Sequence, residues 1–310
     1  MRTLLIINPY SRNGKSAKLS AKCIKYLKTR NFSFETADLK DFDDAYNFSM
    51  EANKSGYHDI IAIGGDGTIN KTINGFYDSN GKRISEANFG VIYSGTSPDF
   101  CKSYGIPTDM IKAADTVINH RTRKIPIGMI KFKNNLNSNH NVTKYFACCA
   151  NIGLGASLAS KANSGIRKYM GDFGGTFISL LQLLVNYRGT NYSLLKDGDK
   201  AEHQNVLNIS VGITNYIASG IKVSRKKDMS DSEMYLMTTS NIKLTNFMKL
   251  LSRIYTGKEF PNSDFLYLDY ASKIGILPND VHPDVEFDGD PAGFLPCYIE
   301  VAEDKLDVIY

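Results

Sequence analysis

IIAIGGDGTIN, residues 60–70, runs from an apolar segment through a glycine-rich turn into a polar one. Ile60-Ile61-Ala62-Ile63 is fully apolar, as a strand buried on both faces must be. Gly64, Gly65, Asp66, Gly67 and Thr68 follow, and Ile69, Ile73 and Phe76 then recur at helical spacing. The same strand–turn–helix unit repeats on either side. Leu4-Leu5-Ile6-Ile7 reads as a first strand, and residues 15–29 carry Leu19, Cys23, Tyr26 and Leu27 on one helical face. Phe32–Thr36 predicts a second strand, 43–55 a polar helix, and Phe89–Tyr93 a fourth strand. This β-α-β-α order predicts an α/β domain with a parallel sheet and helices on its faces.

The pattern changes near residue 124. Strand-like runs then dominate, at 124–131, 143–150, 191–196, 205–212, 234–239, 264–269, 273–277 and 283–287. Asp197-Gly198 and Asp288-Gly289 are turn signals of the kind that closes antiparallel hairpins. Helices are expected over about 166–187 and 243–255. The predicted organisation is therefore an α/β domain over 1–123, to which 304–310 returns as a last strand, and a β-rich domain over 124–303.

The glycine turn has a chemistry of its own. Glycines let the backbone bend sharply and approach a ligand, and amides at a helix start form a ready anion site. A carboxylate at Asp66 beside phosphates makes sense if a Mg²⁺ ion lies between them. Taken alone, the turn reads equally well as a strand–helix connection with an N-cap aspartate. Two more polar turns lie at the ends of predicted strands. NPYSRNGKS, residues 8–16, offers Arg12 and Lys15 to phosphates; it is not a P-loop, because Pro9 stands where a glycine is required. YSGTSPDF, residues 93–100, brings Ser94, Thr96 and Asp99. Open parallel sheets bind ligands beyond the carboxyl ends of their strands, where these three turns converge.

Composition narrows the class. The chain has 310 residues, 42% hydrophobic and 22% charged, and a formal net charge of +5. Its basic clusters, Arg121–Lys124 and Arg225–Lys227, are too short for a nucleic-acid arm, so no nucleic-acid partner is expected. The five cysteines show no metal-ligand spacing and read as reduced thiols of a cytoplasmic protein. Leu4–Ile7 is too short for a signal peptide, and Phe177–Val185, broken by Ser179 and Gln182, cannot span a bilayer.

In this order and spacing, NPYSRNGKS, GGDGTIN and GTSPDFCKSYGIP resemble the turns of the diacylglycerol kinase catalytic-domain family, which includes bacterial lipid kinases and sphingosine kinases. ANIGLGA (150–156) and FDGD (287–290) resemble segments of that family's second domain. The resemblance implies a Rossmann-like domain followed by a β-sandwich, with ATP between them. It implies that Asn8, Gly64, Gly65, Gly67, Thr68, Ser94, Thr96 and Arg12 hold the nucleotide, and that Asp66 and Asp99 organise Mg²⁺. Asp288 would be the general base acting with Asp66, and Asp290 would stand where the family carries a glutamate beside the nucleotide. Asp231, at the end of a lysine-rich loop with Asp228, resembles a structural metal position.

Besides Asp290, the chain departs from the family pattern at Ser97 and Pro98, which stand where the family carries a glycine and an asparagine, and at Lys71. Pro98 replaces a residue with an amide hydrogen, though it can open a helix. Lys71 stands where a carboxylate is usual, and would reverse a charge beside the metal and the acceptor. The expected acceptor is a lipid hydroxyl at a membrane surface, reached by a peripheral cytoplasmic enzyme; a homodimer is held open. The segment 164–188, with Phe173, Phe177, Leu180, Leu181 and Leu184 at helical spacing between Arg167, Lys168 and Arg188, could line an acyl pocket or simply pack a core. An NAD kinase-like enzyme and a catalytically impaired nucleotide- or lipid-binding relative are the rival readings.

Overall fold

A computed structural model describes residues 1–10, 15–41, 43–96, 98–136, 140–161, 188–217, 221–223, 230–240, 246, 263, 265–278, 284–288 and 290–310. The expected helices over 166–187 and 243–255 fall almost wholly outside these residues.

The first domain opens with β1 (Thr3–Ile7), α1 (Lys15–Thr29), β2 (Glu35–Asp38), α2 (Asp44–Lys54), β3 (Asp59–Gly64) and α3 (Asp66–Asn74). It continues through β4 (Asn88–Tyr93), α4 (Asp99–Tyr104), α5 (Met110–Asn119) and β5 (Thr122–Ile125). The strands of β1, β3 and β4 are apolar because both faces are covered. Leu5, Ile7, Ile61, Ile63 and Ile92 pack on Cys23 and Leu27 of α1 and Ala113 and Val117 of α5. Alternate residues Leu4, Ile6, Ile60 and Ala62 pack the other way, with Ala45 and Ala52 of α2 and Ile69, Ile73 and Phe76. Each buried Leu or Ile contributes about 1.5–3 kcal/mol, so a charge at Ile61 would break the layer.

The second domain begins with β6 (Gly128–Lys133), β7 (Asn141–Phe146), β8 (Cys149–Gly153) and α6 (Leu154–Lys161). There follow β9 (Thr190–Lys196), β10 (Asp199–Gly212), the short pair β11 (Tyr216–Ile217) and β12 (Ile221–Lys222), and β13 (Met234–Ser240). Last come β14 (Leu266–Ala271), β15 (Lys273–Pro278), β16 (Asp284–Phe287) and β17 (Asp290–Val301), before β18 (Leu306–Ile309) re-enters the first sheet. That sheet has the order β2-β1-β3-β4-β18-β5, parallel except for the β18–β5 pair. In the second, β9 pairs with both β15 and β10, so the sheet folds back on itself. β10 makes this turn: its first half pairs with β9 and its second with β8 and β13, with Asn205 at φ 50° between them. The result is an α/β domain followed by a β-rich one.

Several expected strands are redrawn. The boundary expected after residue 123 falls inside β5, which belongs to the first sheet; Pro126, with no amide to give a ladder, separates it from β6. The second strand begins at Glu35, not Phe32, because β2 is an exposed edge and the apolar Phe32 and Phe34 pack as a pair against the core on the α1 side. The run 143–150 splits into β7 and β8, for a reason that belongs to the site. At Asp197-Gly198 both residues take positive φ, 51° and 101°, as the two-residue hairpin between β9 and β10 requires.

Candidate active site

The sheet order reverses direction between β1 and β3: the chain leaves β1 toward β2 on one side and returns through β3 toward β4 on the other. A crevice opens at the carboxyl ends of strands around such a point. The three polar turns meet there. The Asn8 amide N–H donates to the Ile63 carbonyl at 2.9 Å, and that of Ser94 to the Gly64 carbonyl at 2.8 Å.

Glycine is required where the turns touch. A Cβ on Gly64 would lie 2.4 Å from Thr68 Oγ1, and one on Gly95 would lie 2.6 Å from the Cα of Gly65. The side chains beneath them bond to one another. Asn8 Nδ2 donates to Thr68 Oγ1 (2.9 Å), Ser16 Oγ donates to the Asn8 carbonyl (2.9 Å), and the Ser16 and Ser94 hydroxyls share a hydrogen bond of 2.7 Å. Asn8, Thr68 and Ser94 are buried and form the footing of the turns. Thr96 is exposed on the turn before α4, and Gly65 and Gly67 are half-buried at the start of α3. Arg12 lies outside the described residues. Pro98 does precede a helix, α4, whose first residue is Asp99.

Asp66 is the first residue of α3. Tyr93 donates its hydroxyl to Asp66 Oδ2 at 2.9 Å, while Oδ1 is buried and has no hydrogen-bond partner among the described residues. Burial pushes the carboxyl up to about 8; Asp99 and Asp288 push the same way, against Tyr93 and a backbone hydrogen bond. A buried oxygen without a donor, amid other carboxylates, fits a hard divalent cation.

Asp288 is the opposite case. It sits at φ 50° in the hairpin between β16 and β17. Its Oδ1 accepts from the amides of Cys148 (2.9 Å) and Cys149 (3.1 Å), and its Oδ2 from the amide of Ala147 (2.7 Å) and from Asn70 Nδ2 (3.0 Å). These amides, turned toward a side chain, are why the run 143–150 breaks into two strands. Burial raises the Asp288 carboxyl above its ordinary value, against the pull of those donors. Asp290 opens β17, paired with Phe287.

Asn70 and Asn74 were not singled out by sequence. They follow Asp66 at steps of four along α3, so a polar stripe at helical spacing marks the face that meets the second domain. Asn70 Nδ2 also donates to the Tyr145 carbonyl, and Asn74 both donates to that carbonyl and accepts from the Tyr145 amide. Tyr93 was likewise missed. Lys71, one step round the helix, forms an ion pair with Asp43, just before α2. Asp231 pairs with Lys305 on the surface, and Asp228 lies outside the described residues. The segment 164–188 is described only at Arg188.

Two family models together span nearly all of the chain. The diacylglycerol kinase catalytic domain matches residues 2–130, and the YegS C-terminal NAD kinase beta sandwich-like domain matches residues 150–310. A diacylglycerol kinase of Bacillus subtilis (strain 168) is 26% identical over 95% of this chain and 91% of its own length. One from Staphylococcus carnosus (strain TM300) is 24% identical over 96% and 90%. Among solved structures, a putative diacylglycerol kinase from Bacillus anthracis str. Sterne covers 100% of this chain and 96% of its own at TM-score 0.76 and 20% identity. Yeast NADH kinase complexed with NADH gives TM-score 0.51 at 10% identity, covering 100% and 83%. At these identities the two structures speak to the fold.

Proposed function

Because the chain belongs to the diacylglycerol kinase catalytic-domain family, we propose that it is an ATP-dependent lipid kinase. The observation that carries this reading is Asp66: a carboxylate at a glycine turn and helix start, with one buried oxygen lacking a hydrogen-bond partner among the described residues. The glycine turn and the amides opening α3 suit a nucleotide's phosphates. Asp66 and Asp99 are the residues that would hold Mg²⁺, which when bound neutralises phosphate charge.

The transfer forms a bond between the acceptor oxygen and the γ-phosphorus and breaks the bond from that phosphorus to the β–γ bridging oxygen, leaving ADP. The acceptor's proton needs a base. Asp288 faces the site from the second domain and fills that role in this reading. Its four acceptor positions are all engaged here, three of them by main-chain amides. The bond from Asn70 is the one a side-chain rotation can release, and it crosses between the domains. Asn70 would thus be a positioning residue that frees one acceptor position of Oδ2, the other staying with the Ala147 amide, when acceptor arrives. Among the described residues no helix is long and apolar enough to cross a membrane, which accords with an enzyme that meets its lipid at the bilayer surface.

The test presents mixed vesicles of diacylglycerol and sphingoid bases with labelled ATP and Mg²⁺ and follows label into chloroform-extractable product. Mg²⁺-dependent labelling of a lipid is expected. Label entering NAD, or no lipid across the panel while ATP still binds, overturns the assignment.

A further inference from the structure

We propose that His58, Asp59 and His120 form a binding site for a transition-metal ion of zinc-like chemistry, at the end of the first sheet away from the glycine turns. Asp59 opens β3 and Gly64 closes it, so this cluster stands about 17 Å from the turn at a strand rise of about 3.3 Å per residue. It shares no residue with the Asp66 site.

The donor set is two imidazoles and a carboxylate. One ring nitrogen of His58, one of His120 and an Asp59 oxygen all lie within 4.8 Å of one another. Nitrogen donors of this kind select zinc and its neighbours in the first transition row, whereas Mg²⁺ prefers oxygen alone. The hydrogen bonding around Asp59 is lopsided in a way that a cation would relieve. Asp59 Oδ1 is approached by His120 Nε2 (2.8 Å), Asn88 Nδ2 (2.9 Å) and His58 Nδ1 (3.0 Å). Three donors crowd one oxygen that has two lone pairs, while Oδ2 has Thr3 Oγ1 at 3.3 Å. One ion between the rings and Oδ1 would replace two N–H contacts and leave Asn88 and Thr3 to orient the carboxylate, as partners of metal-bound carboxylates do.

The site is also held in place before any ion arrives. Asp59 is 2% exposed. The His58 amide is fixed on the Arg2 carbonyl and the Asn88 amide on the His58 carbonyl. His120 is the C-cap of α5 at φ 52° and ψ 47°, a left-handed position that glycine fills most cheaply and that here presents an imidazole. The side chains of His58 and His120 remain 41% and 28% exposed, which leaves an ion a way in. A bound ion would clip the starts of β1, β3 and β4 to the end of α5.

The test strips the full-length protein with a chelator and titrates Zn²⁺ alone, by calorimetry and thermal shift, in the presence and absence of excess Mg²⁺. One Zn²⁺ per chain is expected, with a raised Tm and no competition from Mg²⁺. His58→Ala, at an exposed position, and His120→Gly, which keeps the left-handed cap, should each weaken Zn²⁺ binding at least about tenfold. Asp66→Asn should leave it unchanged, so this result stands or falls apart from the kinase reading. Absence of Zn²⁺ binding in the wild type, or equal binding in both histidine variants, overturns the site and leaves a hydrogen-bonded cluster.

Discussion

Asp66 and Asp288 are both turn aspartates, contributed by different domains to one crevice, yet their surroundings are inverted. Asp66 has one tyrosine hydroxyl and a buried oxygen with no hydrogen-bond partner among the described residues. Asp288 has three backbone amides and an asparagine. Burial works against both carboxylates, but donors meet both oxygens of Asp288, whereas those at Asp66 leave Oδ1 without a partner among the described residues. A buried carboxyl left so holds its proton up to a pH of about 8, and a cation that meets it would take the place of that proton. In the proposed reading, the difference separates a group that would receive a cation from a base whose oxygens also tie a helix of the first domain to two strands of the second.

Substitution should break this contrast most visibly at Asp66. Asp66→Ala is expected to lower phosphoryl transfer by about 10³-fold and to abolish Mg²⁺-dependent nucleotide binding, as calorimetry and turnover would show. Asp66→Asn, measured without divalent cation, should melt no lower than the wild type, because the uncompensated carboxylate is gone.

Asp288→Asn should behave in the reverse way. Its NH₂ would confront one of the amide pairs that the carboxylate now accepts from, at a cost of about 1–3 kcal/mol read as a lower Tm. Turnover should also fall by about two decades, while nucleotide affinity is kept. A variant that melts like the wild type would show that the four hydrogen bonds are not what holds the hairpin.

A smaller effect is expected at Asn70. Asn70→Ala removes one donor from Asp288 and one from the Tyr145 carbonyl, with a loss of about 1–2 kcal/mol in a denaturant melt. If that bond gates the base, kcat changes while the KM for ATP does not. Lys71→Ala should matter least. Its pair with Asp43 is a surface one, with Asp43 72% exposed, and such pairs are worth about 0–1 kcal/mol. A large drop in turnover would return Lys71 to the reacting groups.

The sequence made the turns legible because each is local. A strand, its glycines and the next helix lie within a dozen positions, and apolar runs at β1, β3 and β4 report burial directly. It was weaker where pairing crosses the chain. The edge strand β2 is exposed, so its composition carried no apolar signal, and Phe32 and Phe34 drew the expectation to the wrong residues. The donors to Asp288 come from Ala147, Cys148 and Cys149; nothing in those residue types tells an amide that faces a carboxylate from one in a ladder. Asn70 and Asn74 were within reach as a polar stripe four apart. Lys71 was read by its distance from Asp66 along the chain, but the helix turns it toward Asp43.

The place of β18 bears on how the molecule is made. It lies inside the first sheet, between β4 and β5, yet is encoded after the whole second domain. During synthesis the first domain therefore emerges with a gap in its sheet and one side of β4 unpaired until residues 306–309 leave the ribosome. An unpaired strand edge of that kind invites pairing with other chains. Nascent chains stalled before β18 should accordingly be the ones that chaperones retain, and a fragment ending at β5 should aggregate where the longer chain does not.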